Sequence, residues 1–271
     1  KVDFTDRRAS VAPENREIDS SDTLVSPRLG LVYKPSEPLS IYASYSISYQ
    51  PRAGDQLASL TLANSNLDPE KFTNIEVGTK FDISPNLAFT AAIYQLDRED
   101  QAITDPDPNA PAGSLILVDG QRTSGVEVAL AGQVTAKWSV VGGYAYQDAE
   151  ILSDQSASIR EGATLGQVPK RTISLWNRYY LTPMWGAGLG VVNRSYMFAA
   201  TENTATPANN VTLDGYTRVD AALYWTLSER LSAQLNVENL FDEDYFLNAH
   251  NNNNILPGSP RAARLTVKAR F

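Results

Sequence analysis

Arg194, Tyr196 and Phe198 stand two residues apart. In an extended strand that spacing puts a guanidinium and two aromatic rings on one face. A cation beside two π faces suits an anionic, aromatic ligand, because the guanidinium draws the negative charge while the rings stack. Further cations, Arg52, Arg98, Lys170, Arg218 and Arg264, fall with matching parity at the ends of other strand-like segments. Covalent chemistry has less to work with. One histidine, His250, and no cysteine leave no credible zinc or transition-metal site by ligand count. No motif sets a serine beside that imidazole, and no glycine-rich phosphate loop or paired-carboxylate motif emerges, so no catalysis is expected. The net charge of -8 argues against a nucleic-acid partner, which requires a basic face.

Strands must position these groups. Alternating segments recur at 27–35, 39–50, 71–83, 87–98, 120–131, 137–149, 170–181, 185–198, 216–227, 231–241 and 260–271. In Leu39 to Gln50, Leu39, Ile41, Ala43, Tyr45, Ile47 and Tyr49 share one face, and serines, Tyr42 and Gln50 share the other. The connections also alternate. Those at 35–38, 84–86, 132–136, 182–184 and 228–230 are tight, whereas those near 51–70, 99–119, 150–169, 199–215 and 242–259 are long. Short turns at one end and long loops at the other are the mark of an antiparallel transmembrane β-barrel of the outer-membrane type. With 42% hydrophobic and 20% charged residues, the chain holds no apolar run long enough for a transmembrane helix.

The closing strand carries the same signal. Leu265, Val267, Ala269 and the terminal Phe271 alternate with Arg264, Thr266, Lys268 and Arg270. One face suits lipid and the other a wet interior. Trp138, Tyr179, Trp185 and Trp225 lie near strand ends, where interfacial aromatic girdles sit. Glu76, Lys80, Glu127, Arg178, Asp220, Glu238, Lys268 and Arg270 have inward parity, which a polar lumen tolerates. The long segments are net acidic, so an acidic rim is expected around a more basic vestibule. Asp242 to Asp244 reads as a solvated acidic loop, and Asn251 to Asn254 as a polar loop tip.

Several stretches go beyond pattern. Asn239 to Phe246 (NLFDEDYF), then Pro257 to Arg261 (PGSPR) and a last strand ending in Phe271, resemble the carboxyl-terminal signature of TonB-dependent outer-membrane receptors. Leu67 to Lys80, Arg122 to Gly132 and Val168 to Tyr179 are similar to successive barrel segments of the siderophore-receptor branch. The resemblance implies a barrel of about 22 strands, plugged by an amino-terminal domain. It also implies import of ferric siderophores, here of the catecholate type, with energy transmitted by TonB. On that reading, residues 1–271 are the carboxyl-terminal portion of the barrel, without the plug and first barrel half, and Lys1 to Asp6 is the end of a strand already under way.

The resemblance further implies a place in the outer membrane of a Gram-negative bacterium. Implied partners are the TonB complex, outer-membrane lipid and lipopolysaccharide, and the barrel-assembly machinery, which reads Phe271. The ferric siderophore is then a transported ligand, no cofactor is bound covalently, and the vestibule contacts are Arg52, Arg98, Lys170, Arg194, Tyr196, Phe198 and Arg218. Two other readings stay open: a complete smaller barrel acting as a passive channel or secretion pore, and a soluble all-β adhesin or binding module.

Overall fold

A computed structural model describes residues 2–7, 17–52, 60–61, 63–107 and 109–271. In chain order the strands begin with β1 Val2–Arg7, β2 Glu17–Asp22, β3 Arg28–Ser36, β4 Leu39–Gln50, β5 Glu70–Ser84 and β6 Leu87–Glu99. Next come β7 Gln101–Thr104, β8 Leu115–Val118, β9 Gln121–Thr135, β10 Trp138–Ile151, β11 Arg171–Tyr180 and β12 Trp185–Arg194. The last are β13 Met197–Phe198, β14 Thr212–Leu213, β15 Tyr216–Thr226, β16 Leu231–Glu238, β17 Phe246–Asn251, β18 Asn254–Pro257 and β19 Ala262–Ala269.

Eleven of these form one antiparallel sheet in the order β3, β4, β5, β6, β9, β10, β11, β12, β15, β16, β19. Each expected segment from 27–35 to 260–271 has its counterpart, and every strand pairs with the next long strand. The remaining pairs are small hairpins. Three of them, β7/β8, β13/β14 and β17/β18, sit inside the long connections. β1 pairs with β2 rather than with the main sheet, so the expected strand end at Lys1 to Asp6 is a separate ribbon over its described part. The main sheet ends on β3 and β19, both exposed along their whole length, and does not close among the described residues.

Strict alternation gives the sheet two chemically different faces. Leu31, Ala43, Val77, Ile93, Val126 and Tyr146 follow one another across six strands on a single rung. All but Ala43 are among the exposed large hydrophobic residues, an arrangement that water penalises at about 25 cal/mol per Å². At the short-turn end of this outer face, Trp185 and Trp225 are register partners whose rings stack at 5.1 Å. Trp138 faces Tyr179 in the same zone and donates from Nε1 to Asn177 at 3.2 Å.

The opposite, concave face is polar and carries a second kind of pair. Tyr42 lies over its register partner Gly78, Tyr94 over Gly125 and Trp176 over Gly190. A methyl group at Gly78 would stand 2.5 Å from Tyr42 Cζ, and one at Gly125 2.8 Å from Tyr94 Cζ. Glycine is needed here for the close approach of a ring, not for an unusual φ. The Tyr42 hydroxyl donates to Glu76 at 2.6 Å, and the Tyr94 hydroxyl to Gln147 at 3.1 Å.

Three expected strands are clearly shorter than their alternation suggests, the last spanning Ala262–Ala269 within the expected 260–271. The segment 185–198 breaks after Arg194, because Met197 turns into a small buried cluster with Ala199, Leu213 and Ala249. The segment 231–241 stops at Glu238, because Asn239 takes a positive φ of 53°.

Candidate ligand vestibule

The inner face reaches the long loops at two clusters of arginines. The first joins the ends of β4, β5 and β6. Arg52, just past β4, and Arg98, near the end of β6, share Glu70 at the start of β5. Arg98 Nε lies 2.8 Å from one Glu70 oxygen and Arg52 Nη1 3.4 Å from the other. Arg52 also donates to the Asp100 carbonyl, and only 4% of its side chain is exposed. Burial pulls the Arg52 pKa below the ordinary arginine value, and Glu70 opposes that shift. Arg98 stays more open and passes over the Phe72 ring at 5.8 Å.

The second cluster joins β12, β15 and β16 to the last long loop. One inner rung runs through Glu127, Ala145, Thr172 and Arg194 to Tyr216. The Arg194 guanidinium lies 4.9 Å from the Tyr216 ring centre and donates to the carbonyls of Phe246, at 2.7 Å, and Leu247. Tyr216 meets Tyr245 at 4.2 Å between ring centres. Arg218, two residues along β15, bonds Glu238 at 2.8 Å, Asp220 at 3.0 Å and the Tyr245 hydroxyl at 3.1 Å. Among the described cations of the vestibule, Arg194 differs from Arg52, Arg98 and Arg218 in bonding carbonyls and a ring instead of a carboxylate.

The NLFDEDYF stretch builds this cluster. Asn239 is fully buried, and its positive φ throws the chain out of β16. Its amide donates to the carbonyls of Glu243 and Ser259 at 2.9 and 3.1 Å, while its carbonyl accepts from the Glu243 N–H at 2.8 Å. The Asp220 carboxylate accepts the Asn239 N–H at 2.8 Å, tying the knot to the same residue that faces Arg218. Asp242 accepts from the Arg261 N–H at 2.7 Å, so it clasps the PGSPR segment instead of being merely solvated as expected. Tyr245 is thereby fixed, and Gly258 lies so close to its ring that a methyl group there would collide with it.

The expected vestibule residues do not all meet. Arg52 and Arg98 come together, as do Arg194 and Arg218 through the two tyrosines. Tyr196 and Phe198 do not extend the Arg194 rung, because β12 ends before them. Tyr196 is 57% exposed, and Phe198 pairs with Thr212 in β13/β14. Lys170 binds Asp148 at 2.9 Å beside Tyr146 and Tyr196, and Asp148 raises its pKa above the ordinary lysine value. Tyr146 belongs to the outer rung, so Lys170 has left the concave face. Arg264 lies opposite Asn236 and is exposed, while Phe271 is fully exposed beyond β19. Tyr216, Tyr245, Glu70 and Asn239 escaped the sequence reading. Glu70, Asn239 and Tyr245 lay within family-like stretches, 67–80 and 239–246, whereas Tyr216 carried no signal.

Neighbouring long loops are stitched together. Gln167 N–H donates to the Phe198 carbonyl at 2.8 Å and Thr204 N–H to the Ser158 carbonyl at 2.9 Å. Val211 and Ile255, from two loops, pack on one buried cluster.

Residues 1–240 match the family model described as TonB dependent receptor-like, beta-barrel. The probable TonB-dependent receptor BfrD of Bordetella pertussis is 32% identical over 273 residues, which cover 97% of this chain and 36% of that protein. The crystal structure of the ferric-catecholate import receptor Fiu from Escherichia coli K12, closed form, superposes with a TM-score of 0.79 at 30% identity. It covers 98% of this chain and 38% of that one. The siderophore receptor PiuA from Acinetobacter baumannii gives a TM-score of 0.81 at 28% identity, over 94% of this chain and 37% of that one. The chain thus spans about a third of the length of the curated relatives it matches. These relatives are transport receptors, not enzymes, and the open edges of the eleven-stranded sheet fit a portion of a larger barrel. The chain belongs to the TonB-dependent receptor β-barrel family.

Proposed function

We propose that residues 1–271 form the carboxyl-terminal barrel portion of an outer-membrane receptor that imports a ferric siderophore of the catecholate type, energised through TonB in the full-length protein. The long loops face the outside of the cell, and the inner arginine clusters line the entry. One observation carries the ligand reading: Arg194 keeps its positive charge unneutralised by any described carboxylate, next to the tilted ring pair of Tyr216 and Tyr245. An anionic catecholate complex supplies both the charge and the aromatic faces that such a cluster takes. The catecholate siderophore receptor Fiu supports the same class, and the siderophore receptor PiuA supports the broader one. Arg98, partly open above Phe72, supplies a second cation across the vestibule. Arg52 and Arg218 hold the walls in place, while outer-membrane lipid and the barrel-assembly machinery act on the outer face and on Phe271.

The test is uptake of radiolabelled iron as a ferric catecholate by cells that express only the full-length receptor. Arg194→Ala weakens half-saturation about tenfold, the scale of one charge-assisted bond, and deletion of TonB abolishes uptake. Arg194→Lys, which keeps the charge but not the fork to the loop carbonyls, recovers part of the affinity. Wild-type affinity in the alanine variant refutes the ligand role, and uptake without TonB refutes the energy source.

A further inference from the structure

Arg178 stands two residues beyond Trp176 on β11, on the concave face and near the short turns. Its register partner Gly188 leaves β12 bare, so the guanidinium spans from Tyr180 on its own strand to Tyr224 on β15. The ring centres lie 4.6 and 3.9 Å from its central carbon. A methyl group at Gly188 would stand 2.6 Å from Trp176 Cζ2 and 3.2 Å from Tyr224 Cε2, so a side chain there would crowd the stack.

What Arg178 lacks is an acceptor. Arg52, Arg194 and Arg218 also bury Nε without a partner, but each is held through its Nη groups. Among the described residues nothing accepts a hydrogen bond from Arg178, and no carboxylate pairs with it. Toward the loops, Asp220 and Glu238 are both taken by Arg218. Across the sheet, the rung of Arg178 passes through Gly188, Ala222 and Asn236 to a second cation, the exposed Arg264. Stacked rings hold a guanidinium in place without cancelling its charge or using its N–H groups. The chemistry of the Arg194 cluster is thereby repeated at the other end of one wall. Thr172 is the register partner of Arg194, and Arg178 lies six residues further along β11, about 20 Å at about 3.3 Å per residue.

We propose that Arg178, Tyr180 and Tyr224 form a second site for the transported ligand, an anionic aromatic complex, at the short-turn end of the wall. The proposal rests on the transport reading above: a ligand taken in beside Arg194 must leave the lumen past the short turns. A site that matches the entry in charge and rings keeps the desolvated anion partnered on the way out.

The experiment follows a ferric catecholate that carries a diazirine, in cells making the full-length receptor. Light applied during uptake should crosslink it near Arg194 and Tyr216 with or without TonB. Adducts on residues 176–180 and 222–226, located by peptide mass spectrometry, should form only with TonB. Arg178→Gln should keep half-saturation within about twofold and lower the maximal uptake rate about fivefold, with the melting temperature unchanged. Arg178→Lys, which keeps the charge, recovers part of that rate. Crosslinks that stop at the loop end during active uptake, or wild-type rates in Arg178→Gln, overturn the proposal. So does a melting temperature that falls in step with the rate, which would assign Arg178 to a carboxylate elsewhere in the full-length protein. Adducts absent from both ends sink the transport reading as well, whereas absence from the short-turn end alone removes only the second site.

Discussion

The two arginine clusters at the loop end of the sheet use the same side chain to opposite ends. Around Glu70, two guanidiniums close on one carboxylate, and the result is a buried brace between three strand ends. Around Tyr216, Arg194 spends its donors on loop carbonyls and its face on a ring. Carbonyl dipoles hold a cation in position without cancelling its charge, whereas a carboxylate cancels it. The first cluster is therefore chiefly structural, with the buried Arg52 bracing the strand ends and Glu70 offsetting one of two charges so that only the partly open Arg98 retains a surplus, whereas the second keeps a whole charge to offer a ligand.

That contrast is open to test. The largest effect belongs to Glu70→Ala, which strands the buried Arg52 without its carboxylate. It should cost about 3 kcal/mol of stability, read as a lower melting temperature of the full-length receptor in detergent. A change no larger than that of an exposed pair would erase the distinction between the clusters. Next comes Asn239→Ala, which removes three side-chain hydrogen bonds at a fully buried site. About 2 kcal/mol is expected, with faster proteolysis confined to residues 239–261. Should cleavage stay at wild-type rate, the knot does not hold Tyr245 in place.

Tyr216→Leu keeps apolar bulk but deletes the ring under Arg194 and beside Tyr245. The expected loss is about 1 kcal/mol, seen as about fivefold weaker ligand binding with little change in melting temperature. The smallest effect concerns Asp154, exposed in the loop after β10. Its carboxyl is held below the ordinary carboxylate range by the Glu161 N–H and then by Arg160. A lowered folded pKa gives stabilisation that is complete above the unfolded value near about 3.9 and is lost as pH falls through the lowered one. Hydrogen exchange in 152–163 should be steady at neutral pH and quicken only in strong acid. Loosening already at about pH 6 would point to a different group.

Much of this architecture was written in period-two alternation. The eleven strands, the short and long ends and the outer aromatics of Trp138, Tyr179, Trp185 and Trp225 all follow from side-chain parity, which is a local property. The vestibule is less legible because its contacts are not local. Tyr245 reaches Tyr216 from a loop, and Glu70 lies far along the chain from Arg98. Parity also fails wherever a strand stops: Tyr196 and Phe198 continue the numbering of Arg194 but not its rung, and Lys170, just before β11, swings to the opposite face. The acidic look of Asp242 hid a clasp, since composition reports charge and not which N–H groups lie nearby.

The rings that lie over Gly78, Gly125 and Gly190 have a mechanical consequence. Interlocking surfaces resist sliding because knobs must climb out of holes, and a flat ring laid on bare backbone removes both knob and hole. Over those patches the concave wall is closer to a bearing than to a gear.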